Sequence, residues 1–297
     1  YTKTKVVHFK DSVLIIDPEY RLESDTMHYF TQTKVAKFYG PTTIYNDSST
    51  INCVLGTYDT NREIATFGKG TVINNAPQTL YSDSLYYERF RGYGKTFYYF
   101  DFNDHTKENP EHGFKEFWSF NSVRIFKSDL QGIADSLFFS YQDSIMRMFD
   151  EPILWNENNQ MLGDTIFVYT VNEKVDKVHF FENGFVSMFS KGDLFDQIRG
   201  KTITALFKDN EMQKMIADKN AESLYYGKND DEEYVGANNA KSERIIVYMK
   251  EKEVDHITFI KEPEALFTPM RMLSDSNKYL KGFTWHIALR PKDKSDL

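Results

Sequence analysis

Apolar and polar residues alternate one by one along much of this chain, and short polar clusters interrupt the alternation at regular intervals. In SDTMHYF, the residues Asp25, Met27 and Tyr29 share one face, against Ser24, Thr26 and His28 on the other. The polar cluster TQTK follows, then a second alternating run, VAKFYGPTTI. The same order recurs with DTNR, YQDS and KDNE as the polar clusters. A period of two broken by regularly spaced turns predicts strands rather than helices.

The order is a true internal repeat. Segments starting at Leu22 and Ile51 align without gaps, so that Tyr29 falls on Tyr58, Val35 on Ile64, Ala36 on Ala65, Phe38 on Phe67 and Ile44 on Ile73. A third segment starts at Leu80 and places Tyr87 on Tyr58. Looser copies start at Gly132, Met161, Ile198 and Ala240, so successive starts lie 29, 29, 52, 29, 37 and 42 residues apart. The gap of 52 holds one irregular copy. The chain therefore divides into regular repeats over 1–103, an irregular unit or insertion over 104–131, and a second repeat section over 132–297 stacked continuously on the first. The longer late units read as ordinary units with loop insertions, such as YGKNDDEEYVGANN at 226–239.

One such unit cannot bury its apolar face alone, whereas a stack of copies makes a continuous core. The expected fold class is all-β, a stack of repeated two-strand units. Its inward stripe takes in Met27, Tyr29, Ala36, Phe38, Ile44, Ala65, Phe67, Ile73, Leu85 and Tyr87. Leu137, Phe139, Met146, Ile166, Val168, Ile203 and Ala205 continue it. The segment PMRMLSDSNKYL, 269–280, predicts a short helix near the C-terminus, capped by Ser274 or Asp275.

Composition supports strands: aromatics make up 16%, with 25 Phe and 19 Tyr. The net charge of −8 argues against nucleic acid as a partner, because phosphate binding needs a basic field. Residues 1–100 carry 11 Lys+Arg against 10 Asp+Glu, and 101–297 carry 25 against 34, so the N-terminal third is the better place to hold an anion. The single cysteine, Cys53, sits in an apolar run and reads as a half-buried strand thiol. No stretch approaches 18 apolar residues. The chain begins at Tyr1, which suggests a processed form from which a signal peptide has been removed.

Catalytic signatures are missing from the sequence: there is no P-loop, G-x-G-x-x-G, G-x-S-x-G or H-E-x-x-H. None of the 7 histidines pairs with another ligand at strand or helix spacing, so no metal site and no cofactor are assigned. Asp25, Asp83, Asp135 and Asp164 recur in an S/A/G-D-T/S context. They read first as bend residues that satisfy backbone groups, and second as a carboxylate ladder for sugars or metal. Trp118, Trp155 and Trp285 fit core or edge positions better than sugar platforms, and the aromatic run FYYFDF at 97–102 reads first as core and second as the lining of an apolar groove.

The segments SDTMHYF…AKFYGPTTI, IADSLFFS…MRMFDEPILW and LGDTIFVY…HFFENG resemble the repeats of the OstA/LptA-like lipopolysaccharide-bridge family of Bacteroidetes-type bacteria. The stretch GKTITALFKDNEMQKMIADKNAESLYY and the KGFTW segment at 281–285 are similar to that group too, so the likeness spans roughly 10–290. What the resemblance implies is a β-jellyroll, or "taco", of two facing sheets around an apolar slot. It implies a periplasmic, Gram-negative protein of outer-membrane biogenesis that takes lipopolysaccharide or a related lipid by its acyl chains. It also implies other lipopolysaccharide-transport components as partners, head-to-tail self-association that links inner to outer membrane, and neither enzymatic activity nor cofactor. On this expectation the inward stripe lines the lipid slot, and Lys34, Lys37, Arg62, Arg89, Arg91 and Lys95 are rim cations for phosphates. The competing expectations are a β-solenoid enzyme acting on polysaccharide and a structural, surface-interaction repeat protein without a slot.

Overall fold

The computed structural model describes residues 5–17, 20–45, 49–62, 64–75, 78–89, 115–140, 143–172, 174–209 and 211–293. At Asn75, Gln78, Ser84, Tyr86, Tyr87, Glu88, Arg89, Lys115, Glu116 and Phe117 it describes the backbone alone. The protein is all-β, and each strand pairs antiparallel with its successor through most of the chain. Two compact units form, one of residues up to Met146 together with those from Pro291, the other of Arg147–Arg290. Unit one holds β1 (Val6–Ile16), β2 (Arg21–Phe30), β3 (Val35–Tyr45), β4 (Ser49–Asp59), β5 (Ile64–Asn75), β6 (Gln78–Arg89), β7 (Lys115–Lys127) and β8 (Leu130–Ser140). The short β9 (Ile145–Phe149) carries the chain into unit two. Of the segment read as irregular, 104–114 lies outside the described residues, and 115–131 supplies β7 and the turn into β8.

Every strand of unit one is broken in the middle. Between Lys10 and Val13 the register shifts, so that Asp11 and Ser12 on β1 face the single residue Asp25 on β2. Gly40 and Pro41 likewise face Val54, Lys69 and Gly70 face Asp83, and Asn121 and Ser122 face Asp135. Asp11, Ser12, Gly40, Lys69, Gly70, Asn121 and Ser122 have φ between 55° and 82°, the left-handed region. Two residues opposite one is the geometry of a β-bulge, which bends the strand. Repeated in adjacent strands, it folds the whole sheet along a line.

The bend corrects the expected alternation. Leu22 and Ser24 are buried before it, and Met27 is buried after it. The inward set therefore changes parity at Asp25, and Asp25 is exposed at the corner rather than sharing a face with Met27. Ile51 and Cys53 followed by buried Gly56 repeat the slip at Val54. Inside the fold, side chains from the two halves converge, and only small ones fit: Ser24, Thr42, Cys53, Thr71, Ser82 and Ala134 are all buried there. The Ser24 and Thr42 hydroxyls pair across strands at 2.8 Å.

In unit two, β10 (Ile153–Asn156) and β11 (Asn159–Leu162) form a hairpin, and β11 with β12 (Thr165–Val171) makes the two halves of one bent strand, both paired with β13 (Lys174–Lys191). The ladder continues through β14 (Leu194–Lys208), β15 (Glu211–Lys228) and β16 (Tyr234–Lys250). It ends on β17 (Glu253–Ile260) and β18 (Glu264–Pro269), both paired with β16. Its left-handed pairs include Glu182 and Asn183, Lys219 and Asn220, and Lys261 and Glu262. The expected loop insertion at 226–239 is instead extended strand, since β15 runs to Lys228 and β16 starts at Tyr234, around a tight turn.

The C-terminal segment, predicted as a short helix, forms 3-10 turns at Met270–Met272 and Asp275–Asn277 within a strap laid on the outer face of unit two. Ser274 does occupy the N-cap position, but its hydroxyl pairs with that of Ser276 rather than with backbone. Gln160 and Gln197 read the backbone of the strap: Gln160 donates to the Thr284 carbonyl at 2.7 Å, and Gln197 accepts the Leu280 amide at 2.8 Å. Leu280 buries beside Phe185, Leu194, Leu224 and Tyr226.

Left-handed backbone costs an L-residue about 1–2 kcal/mol relative to glycine. Lys69→Gly, at φ 59°, is therefore expected to stabilise unit one by up to about 1 kcal/mol. Gly40 has φ 82°, and a Cβ there would sit 3.0 Å from Asp25 Cβ, so Gly40→Ala is expected to destabilise. Urea unfolding midpoints check the pair; shifts of the same sign would contradict the bend.

Candidate functional site

The bends sort the inward residues into rows on two walls. On the wall after the bend of β2, Met27 pairs with Phe38, Phe38 with Gly56, Gly56 with Phe67, and Phe67 with Leu85. The row reaches Leu137 through Ser119. Small residues, Gly56 and Ser119, separate the large pairs because the rings need room: a Cβ on Gly56 would lie 3.2 Å from the Phe67 ring and 3.3 Å from that of Phe38. In the neighbouring row large and small alternate strand by strand, as Tyr29, Ala36, Tyr58 and Ala65 pair in sequence. The other wall carries an aliphatic ladder of Ile15, Leu22, Ile44, Ile51, Ile73 and Leu80. Val13, Leu22, Met27, Ala36 and Phe38 pack as one cluster, with Tyr29, Ile44 and Tyr58 against it, so side chains from both walls meet.

The expected slot residues thus occupy three rows rather than one stripe. Met27, Ala36, Phe38, Ala65, Phe67, Ile73, Leu85 and Leu137 are buried, and Tyr29, Ile44, Phe139 and Met146 are half-buried. The Tyr87 side chain lies outside the described residues. Ile166 and Val168 belong to unit two, where Ile166 pairs with Phe180 and Phe180 with Ile203, while Val168 pairs with Val178 and Val178 with Ala205, all buried.

Of the expected rim cations, Lys34 and Arg62 sit on successive turns at one edge of the wall. These turns are stitched together: the Thr60 amide donates to the Lys34 carbonyl at 3.0 Å, and Asn61 donates to that of Thr33. Both cations are exposed, close in sequence to the half-buried Tyr29 and Tyr58. Lys37 falls between inward Ala36 and Phe38 and so projects from the outer face, its Nζ 5.4 Å over the Phe30 ring. The Arg89 side chain, Arg91, Lys95 and the 97–102 aromatic run lie outside the described residues.

The recurring aspartates occupy the bends as structural groups. All are exposed, and Asp25 accepts from the Thr26 hydroxyl, Asp83 from that of Tyr81, and Asp164 from Asn183 Nδ2. Cys53 belongs to the small residues inside the corner, where burial pushes its thiol up to about 11, away from thiolate chemistry. Trp155 is fully buried, and Trp118 stacks on Phe138 at 4.3 Å.

Sequence reasoning missed Gln160 and Gln197, which hold the strap in register through Ser187 between them. Their signal was a glutamine directly beside large apolar residues, in NQML and FDQIRG. It also missed Asp196, whose carboxylate accepts the Tyr226 amide at 2.8 Å beyond the last ladder pair of β14 and β15. Burial raises this carboxyl to about 6, despite the opposing effects of that hydrogen bond and of Lys228.

No family model matches the chain, and no curated protein matches it in sequence. Among solved structures, the chain is similar to LptH, the LptA-homologous periplasmic component of the lipopolysaccharide transport device from Pseudomonas aeruginosa. The TM-score is 0.39 at 10% identity, covering 47% of this chain and 95% of that one. No helix among the described residues is long and apolar enough to cross a membrane.

Because Asp196 holds its proton more tightly folded than unfolded, its contribution to stability is full below about pH 4 and is lost as pH rises through about 6. Asp196→Asn keeps an acceptor for the Tyr226 amide and removes the titration. Its stability relative to the parent should rise between pH 4 and 7 by on the order of 2 kcal/mol. Chemical unfolding at stepped pH checks this, and parallel curves for the two proteins would contradict it.

Proposed function

We propose that this protein carries lipopolysaccharide, or a related lipid, by its acyl chains between the two walls of its bent strands. It does so in the periplasm, as a binding module that works with other lipopolysaccharide-transport components to bridge inner and outer membranes. One observation carries the reading. Val7 and Phe9 pair with Tyr29 and Met27, which puts them on the inward rows, yet each is 42% exposed. The apolar interior of unit one therefore reaches the surface at its terminal strand. Burying each acyl CH₂ is worth about 0.8 kcal/mol, so fatty chains supply the binding energy without net charge attraction. That suits a chain of net charge −8, in which the edge cations Lys34 and Arg62 are on hand to meet phosphates. The segments that resemble the OstA/LptA-like repeats support the same reading. Leu14 and Ile16 of β1 are exposed as well, and the edge of this strand is where a second copy would add head to tail.

A second reading, a structural repeat protein with a filled interior, draws on the burial of Phe38, Leu85 and Leu137 at 2%, 1% and 0% exposure. Photocrosslinking separates the two. A photoreactive residue at Phe38, Phe67 or Leu85 is expected to label with lipopolysaccharide, and one at the outward Lys37 or Thr66 is not. Labelling confined to the outward positions would sink the slot.

A further inference from the structure

The histidines of the sequence are too far apart to pair locally, but the fold brings two of them together. His8 on β1 and His28 on β2 are direct cross-strand partners. Their rings lie 4.2 Å apart, centroid to centroid, at 82°. Both fall on the outer face, since the alternate residues Val7, Phe9, Met27 and Tyr29 take the inward rows. The other described histidines are engaged elsewhere: His179 with Thr204, His256 with Asp255 and His286 with Thr284.

Directly opposed residues on antiparallel strands have Cβ atoms about 4.5–5.5 Å apart. Two imidazole nitrogens on one metal ion, each about 2.0–2.1 Å from it, lie about 3 Å apart. Side chains as long as histidine close that difference by ring rotation alone. We propose that His8 and His28 form a two-imidazole site for a borderline divalent transition metal, with water in the remaining positions. Imidazole suits zinc, nickel and copper, and copper(II) binds tightest among the divalent ions. Lys10 follows His8 on the same face of β1, and its charge opposes a second cation, which keeps the site weak. A bound ion ties the terminal strand to its neighbour and so protects β1 from fraying, independently of any lipid.

The test uses the untagged full chain, stripped with chelator, and titrations with Zn²⁺, Ni²⁺ and Cu²⁺ at pH 7.5 followed by calorimetry and by histidine side-chain NMR. One ion per chain is expected, with shifts confined to two imidazoles and copper bound tightest. His8→Ala and His28→Ala should each weaken binding by about tenfold or more. Lys10→Glu, which replaces the opposing charge with a third ligand, should tighten it. Amide exchange of Val6–Lys10 should slow with metal in the parent and not in His28→Ala. His8 is exposed and His28 half-buried beside Tyr39, and circular dichroism shows whether the variants keep the fold. Equal affinity in the His8→Ala/His28→Ala double variant, or no binding to the parent at millimolar metal, overturns the site.

Discussion

The mid-strand bend is the feature on which the rest of this protein depends. A flat sheet of alternating strands would leave one apolar face in water. Folding each strand on itself turns that face inward from both halves, so that a single meander supplies both walls of its own core. The bend places left-handed residues on the outside of each bulged strand of unit one, Asp11-Ser12, Gly40, Lys69-Gly70 and Asn121-Ser122. It also demands small side chains inside, met by Ser24, Thr42, Cys53, Thr71, Ser82 and Ala134. Everything of functional interest follows from that arrangement: the rows on each wall, the turns that carry Lys34 and Arg62, and the outer face where His8 meets His28.

Much of this was legible in the sequence because it depends on local pattern. The 29-residue spacing marks strand pairs, and Tyr29 over Tyr58 and Phe38 over Phe67 mark equivalent inward positions. The aspartates were legible as bend residues from their hydroxyl-bearing neighbours. What escaped was the consequence of the bend. On the strand that carries the single corner residue the inward set changes parity, so Asp25 was placed with Met27 although Ser24 is the buried neighbour. Ile44 and Ile73 likewise went onto the stripe of Phe38 and Phe67, although they stand on the other wall. The His8–His28 pair and the glutamine grip on the strap arise from cross-strand register and chain return, which no local window contains.

The two units use the same device differently. In unit two part of the outer face is covered as well, because the strap packs Leu280 and Phe283 against Phe185, Leu194 and Phe195. Its polar anchors are side chains that bond to the backbone of the strap, as in Tyr226 to the Lys278 carbonyl and Arg199 to that of Lys281. Both ladders end on exposed apolar residues, Val7 and Phe9 on β1 in unit one and Leu266 and Phe267 on β18 in unit two.

The central claim is that the two walls of unit one part to admit acyl chains. The most direct measurement is the distance between spin labels at Lys37 and Tyr45, outward residues on either side of the bend in β3, in a Cys53→Ser background. Adding lipopolysaccharide should lengthen this distance as the bend opens. A distribution unchanged at saturating lipid would show walls that stay packed, and would contradict the account.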